Sequence, residues 1–348
     1  MISLKTKEIK IITGSSKILK KNLSPFNSEC LNFLSMLSKD ILKKKNLFKY
    51  TDLISFAFWC RSSNIKKKQQ YFINQDQYIR KGIGILLHVP PSNTPIAAAY
   101  SFVFGLLSGN SNIIRVSNPN LENIKIFLTI INELFKNKKF KKIKENNVFI
   151  SYDKESVVSE NLSNLIDGRI IWGNEKTIKN FKRMNTKNLC QDVFFDDKYS
   201  VSIIDLKKYT LLTEIKKNNL IKNFYNDTFI MDQNACSSPH LVFWINAGPK
   251  MTDFWKRLDK FVGKKYEITN DLQNIKYDRL NKILFNSNML LESHNLEKIS
   301  IFKIKKLNPN IVNLRGYAGI FFESKIKNIE NLKKIINEKF QTITYFGI

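Results

Sequence analysis

Apolar residues recur at three- and four-residue spacing over Ser28 to Asn46 and Asp52 to Arg61, which predicts helices in both segments. The first 80 residues as a whole read as mostly helical and basic. From Gly82 the pattern changes. GIGILLHV, Gly82 to Val89, is a short apolar run that predicts a buried strand, and PPSNTP follows as a turn. A helix is predicted from near Pro95, capped by Asn93 or Thr94, to a glycine stop at Gly109. NIIRV, Asn112 to Val116, is the next strand. Strand, helix and strand with short connections make a βαβ unit, and hence a parallel sheet.

The alternation continues. Leu121 to Lys138 reads as helix, Asn147 to Tyr152 as extended, and GRIIW, Gly168 to Trp172, as a further buried strand. Gly173 turns the chain into a helix over Glu175 to Met184. A second alternating region opens at Ser200 with SVSIID. It predicts helix over Thr210 to Ile230, strand over His240 to Ile245, and helix over Met251 to Val262. Pro309 to Glu323 is extended at its end, Ile329 to Lys339 helical, and Thr342 to Ile348 a strand. The polar stretch between Cys190 and Ser200 is the expected seam. Three parts follow: a helical N-terminal region over 1–80, a Rossmann-like cofactor domain over 81–199, and a catalytic domain over 200–348. An apolar strand at the end of the sequence leads us to expect a further C-terminal segment or a partner chain beside it.

Composition narrows the classes. At 348 residues with 43% hydrophobic content, the chain can build two cores and is not of disordered type. Four scattered cysteines (Cys30, Cys60, Cys190, Cys236) have neither disulfide-framework nor zinc spacing, and His88, His240 and His294 do not cluster, so no metal is expected. The longest largely apolar run, Ile96 to Leu107, is too short for a membrane span, and the N-terminus has no signal-peptide core, so a cytoplasmic protein is expected. The net charge of +27 suits anionic ligands. The lysines are spread along the whole chain with no nucleic-acid-binding motif, and a nucleic-acid partner is not expected.

Two stretches carry candidate chemistry. MDQNACSSPH, Met231 to His240, sets Cys236 among small residues where a helix gives way to a loop. Such neighbours admit a substrate, and backbone N–H groups in a turn can lower a thiol pKa and hold an oxyanion. Packing is the competing reading for this thiol. No motif places a histidine beside it, and His240 reads as a strand-edge residue rather than a base. In the second stretch, His88 to Asn120, Arg115 and Ser117 close a strand at the end where parallel sheets bind ligands. An arginine there suits a phosphate or a ribose edge, or is simply a solvated strand end.

Three motifs in this order, PPSN-x-P (Pro90 to Pro95), FGLLSGNSNI-x-R (Phe104 to Arg115) and QxACSSP (Gln233 to Pro239), resemble the acyl-CoA reductase (LuxC) branch of the aldehyde dehydrogenase superfamily. The final QTITYFGI is also similar to that family, and the likeness covers most of residues 80–348. The resemblance implies an α/β fold of two Rossmann-like domains with parallel sheets. It also implies NADPH-dependent reduction of an acyl thioester, carried by CoA or by a protein, to an aldehyde. By the same resemblance, Cys236 is the nucleophile that becomes an acyl-cysteine. Asn93 is the side-chain donor to the oxyanion, acting with the Cys236 N–H where the two domains meet. Arg115 and Ser117 would receive the 2′-phosphate of NADP, and Trp172, Gly173 and Asn174 the turn that faces the cofactor.

One departure is informative. Where oxidising relatives carry the glutamate that activates water, this chain has Phe194-Phe195-Asp196-Asp197-Lys198. Loss of that base favours reduction over hydrolysis. An acyl-protein synthetase partner and a homo-oligomer are further expectations from the resemblance. The alternative is an acyl-transfer or acyl-binding protein of the same fold without reductase activity.

Overall fold

The computed structural model describes residues 1–20, 23–73, 78–92, 94, 96–285 and 287–348. The chain divides into two compact units, Met1–Asp196 and Asp197–Ile348.

The first unit contains β1 (Ile2–Ser3), β2 (Lys10–Gly14), β3 (Lys17–Ile18), β4 (Ile85–Val89), β5 (Ser111–Arg115), β6 (Asn147–Ser151), β7 (Gly168–Gly173) and β8 (Gln191–Asp196). Its six-stranded sheet runs β2-β6-β5-β4-β7-β8 and is parallel except for β2, while β1 and β3 form a separate antiparallel pair. The strand order reverses at β4. From there β5 and β6 build outward on one side, and β7 and β8 on the other. Such a reversal opens a crevice at the carboxyl ends of β4 and β7.

Side chains alternate across this sheet. Ile85, Leu87, Val89, Ile113, Val148 and Ile150 share one core with Leu162 and Phe181. The N-terminal helices pack through aromatic rings. Phe33 of Ser28–Leu42 meets Phe102 and Phe135 at 6.3 and 5.8 Å, and Phe56 of Thr51–Trp59 meets Phe127 at 5.6 Å. A buried polar ladder ties β4, β5 and β6 to the helix Ala97–Leu107. His88 Nε2 donates to Asn112 Oδ1 (2.9 Å), His88 Nδ1 accepts from Ser101 Oγ (2.8 Å), and Asn112 Nδ2 donates to Asn147 Oδ1 (2.7 Å). Gly105 makes room for the ladder, since a Cβ there would stand 2.0 Å from Asn112 Oδ1.

Burial holds His88 neutral, with its pKa pushed down to about 4. The unfolded chain takes up a proton near pH 6.5, and the folded one resists it down to about pH 4. The stability is therefore present in full above pH 6.5 and is lost as the pH falls towards 4, by up to about 3 kcal/mol. Denaturation across this range should show that loss, and His88→Asn should reduce the slope, leaving the part that the other buried histidine, His240, contributes. An unchanged slope in the variant contradicts this origin. A second prediction concerns Arg169 of β7, which is 2% exposed and donates from Nε and Nη2 to Asp192 (2.7 and 2.6 Å). Asp192→Ala strands a buried guanidinium. It should cost about 3 kcal/mol by urea unfolding, and a loss below about 1 kcal/mol rules this out.

The second unit holds β9 (Tyr199–Asp205), β10 (Pro239–Ile245), β11 (Leu290–Asn295), β12 (Ser300–Ile304), β13 (Ile320–Lys325) and β14 (Phe340–Phe346). The order is β11-β12-β13-β10-β9-β14, parallel except for β11. The helices Glu214–Phe229 and Met251–Lys265 cover one face through Phe224, Phe229, Phe254 and Trp255. The helix Asn270–Phe285 covers the other face with Leu272, Leu280 and Ile283. The sheet's central strands are buried from end to end, as the apolar runs in the sequence predict.

Several local expectations are corrected. The first 18 residues hold three short strands joined by loops rather than helix, because their charge–apolar alternation has the two-residue period of a sheet. The helix after the PPSN turn begins at Ala97 behind Ile96, with no side-chain cap, and Thr94 contributes only its carbonyl, to Ala97 N–H (2.9 Å). QDVFFD in the expected seam is itself the edge strand β8, which exposes Gln191, Val193 and Phe195 on one face. Ile329–Lys334 makes only a short 3-10 helix. His240 is the second residue of β10, at the start of the strand as expected, and β10 lies between β9 and β13.

Candidate functional site

Cys236 lies in the turn between the helix Glu214–Phe229 and β10, at the amino end of the second unit's sheet. Two consecutive residues of this turn, Asp232 and Gln233, have φ of 52° and 62°, a left-handed conformation costly for non-glycine side chains. The surroundings enforce it. Gln233 is fully buried, and its Nε2 donates to Pro239 O (3.2 Å) and Ile320 O (3.0 Å). Its Oε1 accepts from Gly319 N–H (3.2 Å). Tyr266 Oη donates to Asp232 Oδ1 (2.7 Å), and Ser238 Oγ to Asp227 O (2.7 Å). Gly316 completes the staple, because a Cβ there would stand 1.8 Å from Ile320 O.

The turn presents Cys236 by its backbone. Ser200 Oγ donates to Cys236 O (2.5 Å), and Ser238 N–H closes back on Ala235 O (2.9 Å). Among the described residues, the Cys236 N–H has no acceptor. The thiol is half-buried. Cys30 and Cys60 differ: both are fully buried, and burial drives the Cys30 thiol up to about 12 and the Cys60 thiol upward as well. Those two are packing groups. Cys190 is half-buried, and its thiol is raised by burial first and then by Asp192.

His240 is no base for this thiol. It stacks on Tyr199 (5.3 Å, 28°), its Nδ1 is buried without a partner, and burial, with Arg315 and Arg279 nearby, lowers its pKa to about 3. Asp197, one of the acids near the missing glutamate, is committed to an ion pair. It meets Arg315 at 3.0 Å and Lys339 at 3.4 Å, which ties the starts of β9 and β14. Phe195 stacks on Trp172, with centroids 4.0 Å apart and planes at 18°.

The first unit gathers the other predicted residues at the carboxyl ends of its strands. Arg115 ends β5. It donates to Ser117 Oγ (3.3 Å) and Tyr152 O (3.4 Å) and lies over the Tyr152 ring at 5.0 Å, while its buried Nε has no acceptor among the described residues. Trp172 and Gly173 end β7, and the buried Trp172 Nε1 also lacks an acceptor. Asn174 caps the helix Glu175–Arg183, accepting from Thr177 N–H at 3.0 Å. Gly173 is required by that cap: a Cβ would meet Thr177 at 2.8 Å. Asn93 lies outside the described residues. Among the described residues, no cluster of three His, Cys, Asp or Glu could hold a metal, and no helix is long and apolar enough to cross a membrane.

The sequence motif contains Gln233 but does not reveal its role, since its partners Gly319 and Ile320 lie more than 80 residues away. Two left-handed residues before a cysteine carry no compositional signal when neither is glycine.

These two sheets, with a strand reversal in the first and a cysteine turn entering the second, define an aldehyde dehydrogenase-like fold. Solved structures agree. The chain is similar to lactaldehyde dehydrogenase from Escherichia coli, with TM-score 0.58 and 12% identity over 91% of this chain and 78% of that one. It is similar to the glyceraldehyde-3-phosphate dehydrogenase GapN of Methanocaldococcus jannaschii, a complex with NADP, with TM-score 0.60 and 12% identity over 91% and 80%. Proline utilization A of Bradyrhizobium japonicum matches with TM-score 0.62 and 12% identity over 89% of this chain and 34% of its own. Likeness at this identity shows the fold. Comparison with curated proteins gives no match. The family described as acyl-CoA reductase (LuxC) matches residues 61–275, more than half of the chain. The chain belongs to that family, whose chemistry is aldehyde-related oxidoreduction.

Proposed function

We propose that the protein reduces an acyl thioester to an aldehyde through an acyl-cysteine on Cys236, with NADPH as the reductant. The observation that carries the reading is the pairing, on one residue, of a half-buried thiol with a backbone N–H that has no acceptor among the described residues. A nucleophile and an oxyanion donor on the same residue suit acyl transfer.

The Cys236 thiolate adds to the thioester carbon. The carbon–sulfur bond of the incoming thioester breaks, its thiolate leaves, and the acyl group stays on Cys236. The Cys236 N–H and the Asn93 side chain hold the negative charge on the carbonyl oxygen during this step, and again when the aldehyde is released and the thiolate restored. Among the described residues Arg115 Nε has no acceptor, and the Arg115 guanidinium with Ser117 Oγ fits a phosphate oxygen, while Gly173 places the start of the helix Glu175–Arg183 at the carboxyl end of β7, where a helix dipole favours a diphosphate. NADPH bound by these residues would supply hydride to the acyl carbon. Arg115 also supports the choice of NADPH over NADH.

Phe195 is packed on Trp172 and Asp197 is held by two cations, so neither offers a free base to activate water. The acyl-enzyme should therefore hydrolyse slowly without reductant. Asp197→Asn should leave that hydrolysis rate within about twofold, and a tenfold drop would make Asp197 the base. Asn93→Ala should lower turnover by roughly 100- to 1,000-fold, measured as NADPH oxidation with a series of acyl-CoAs and trapping of the aldehyde. Acylation without NADPH oxidation would favour an acyl-transfer protein instead.

A further inference from the structure

We propose that the N-terminal helices of the first unit form a binding site for a phosphate monoester, on a face that the reductase reading does not use. A cavity of about 330 Å³ lies between the helices Ser28–Leu42 and Ser62–Ile73. Ser35, Ser38, Lys39, Lys43, Arg61 and Ser62 line it, and the lining contains no carboxylate.

Three cations converge there without a counterion. Lys39 and Lys43 are one helical turn apart and share a face, an arrangement in which like charges repel. Arg61 stands on the opposite wall, its guanidinium over the Phe58 ring at 3.9 Å. Stacking fixes that plane and leaves its edge N–H groups to point at a ligand. Among the described residues, no ion pair engages Lys39, Lys43 or Arg61. Neighbouring lysines do find acids: Lys142 meets Glu29 at 3.2 Å, and Lys136 meets Glu133 at 2.7 Å.

The remaining lining supplies hydrogen-bond donors. Ser35 Oγ accepts from Ser62 Oγ (3.0 Å), and the Ser35 hydroxyl hydrogen has no acceptor among the described residues. Ser38 Oγ is committed to Ala57 O (2.7 Å) and serves as the floor. The helix Ser62–Ile73 begins at the cavity, where Asn64 and Ile65 N–H already donate to Arg61 O (2.9 and 3.0 Å), and the N–H groups of Ser62 and Ser63 have no acceptor among the described residues. That helix has no acidic residue in its first turn, and Lys66, Lys67 and Lys68 follow. Positive charge at a helix start opposes the helix dipole, and a bound anion offsets both. A tetrahedral dianion uses cations on two walls, a hydroxyl and amide N–H groups together. The pocket is open to solvent, and its small volume suits a single phosphate group.

The test is calorimetric titration of the full chain at fixed ionic strength with inorganic phosphate. CoA against dephospho-CoA, and NADP⁺ against NAD⁺, are parallel arms that identify the source of the monoester. Phosphate should bind saturably. The variant Lys39→Gln/Lys43→Gln/Arg61→Gln should weaken it at least about tenfold. Lys207→Gln/Lys208→Gln/Lys264→Gln removes equal charge from the other unit and should leave it unchanged. If the CoA 3′-phosphate is the ligand, the triple variant erases the preference for CoA over dephospho-CoA; if it is the NADP 2′-phosphate, the parent shows two sites that prefer NADP⁺ over NAD⁺ and the triple variant retains only the one at Arg115. If neither preference moves, the ligand is free phosphate or another monoester. Absence of saturable binding, or equal weakening by both triple variants, overturns the proposal. Acylation of Cys236 does not enter these readouts, so failure here leaves the reductase reading standing.

Discussion

Replacing Cys236 by alanine is expected to abolish both acyl labelling of the protein and NADPH oxidation, while leaving the fold intact. Loss of the nucleophile should lower turnover on the order of 10⁴-fold or more. The fold should survive because the turn is held by its neighbours, through Ser200 to the Cys236 carbonyl, Ser238 to Asp227, and Gln233 to Pro239 and Ile320. Alanine keeps each of these bonds. Circular dichroism and urea unfolding should match the parent within about 0.5 kcal/mol. Cys30→Ala and Cys60→Ala should do the reverse, lowering stability with acyl labelling retained, because those thiols are packed in the first unit's interior. A labelled Cys236→Ala protein would mean that another thiol carries the acyl group.

The second large effect is expected from Gln233→Leu. Leucine fits the volume but leaves Gly319 N–H without its acceptor and Pro239 O and Ile320 O without their side-chain donor. Stranded buried polar groups cost about 1–3 kcal/mol each. With partial relaxation, unfolding of the second unit should become easier by about 3–4 kcal/mol. Below its unfolding temperature the variant should also acylate slowly, because Asp232 and position 233 lose the restraint that keeps φ positive ahead of Cys236. Full stability with parental acylation would show that the staple is dispensable.

Much of the framework was legible in the sequence. Strands buried on both faces, such as ILLHV in β4 and HLVFWI in β10, announce themselves as apolar runs between turns. The small-residue helix Ala97–Leu107 and the amphipathic helix Glu122–Lys136 are equally plain. Strands β8, β11 and β12 escaped. β8 and β11 are edge strands whose residues are largely exposed, so no long apolar run marks them. β12 lies inside its sheet, but SIFKI is short and interrupted by Lys303. The helix Asn270–Phe285 is mostly polar and touches the core through a few residues, including Leu272, Leu280 and Ile283.

The candidate site was legible to a different degree. Cys236 stood out by its small neighbours, and Arg115 by its place at a strand end. Their roles came from the motif resemblance, since no local pattern joins residues that belong to different units. The sequence places His240 at the start of a strand but not its protonation state. Its neutrality arises first from burial and then from Arg315 and Arg279, which are brought to it only by folding. Lys39 and Arg61 are likewise remote in sequence, and only the packing of two helices sets them around one cavity.

Peptide mass spectrometry after brief exposure of the full chain to acyl-CoAs of graded length, with NADPH withheld, is the most direct test of the central claim. A mass increase equal to the acyl group on the peptide bearing Cys236, discharged when NADPH is added, is the expected result. An unmodified Cys236 across the whole series, or acylation confined to another cysteine, would contradict it.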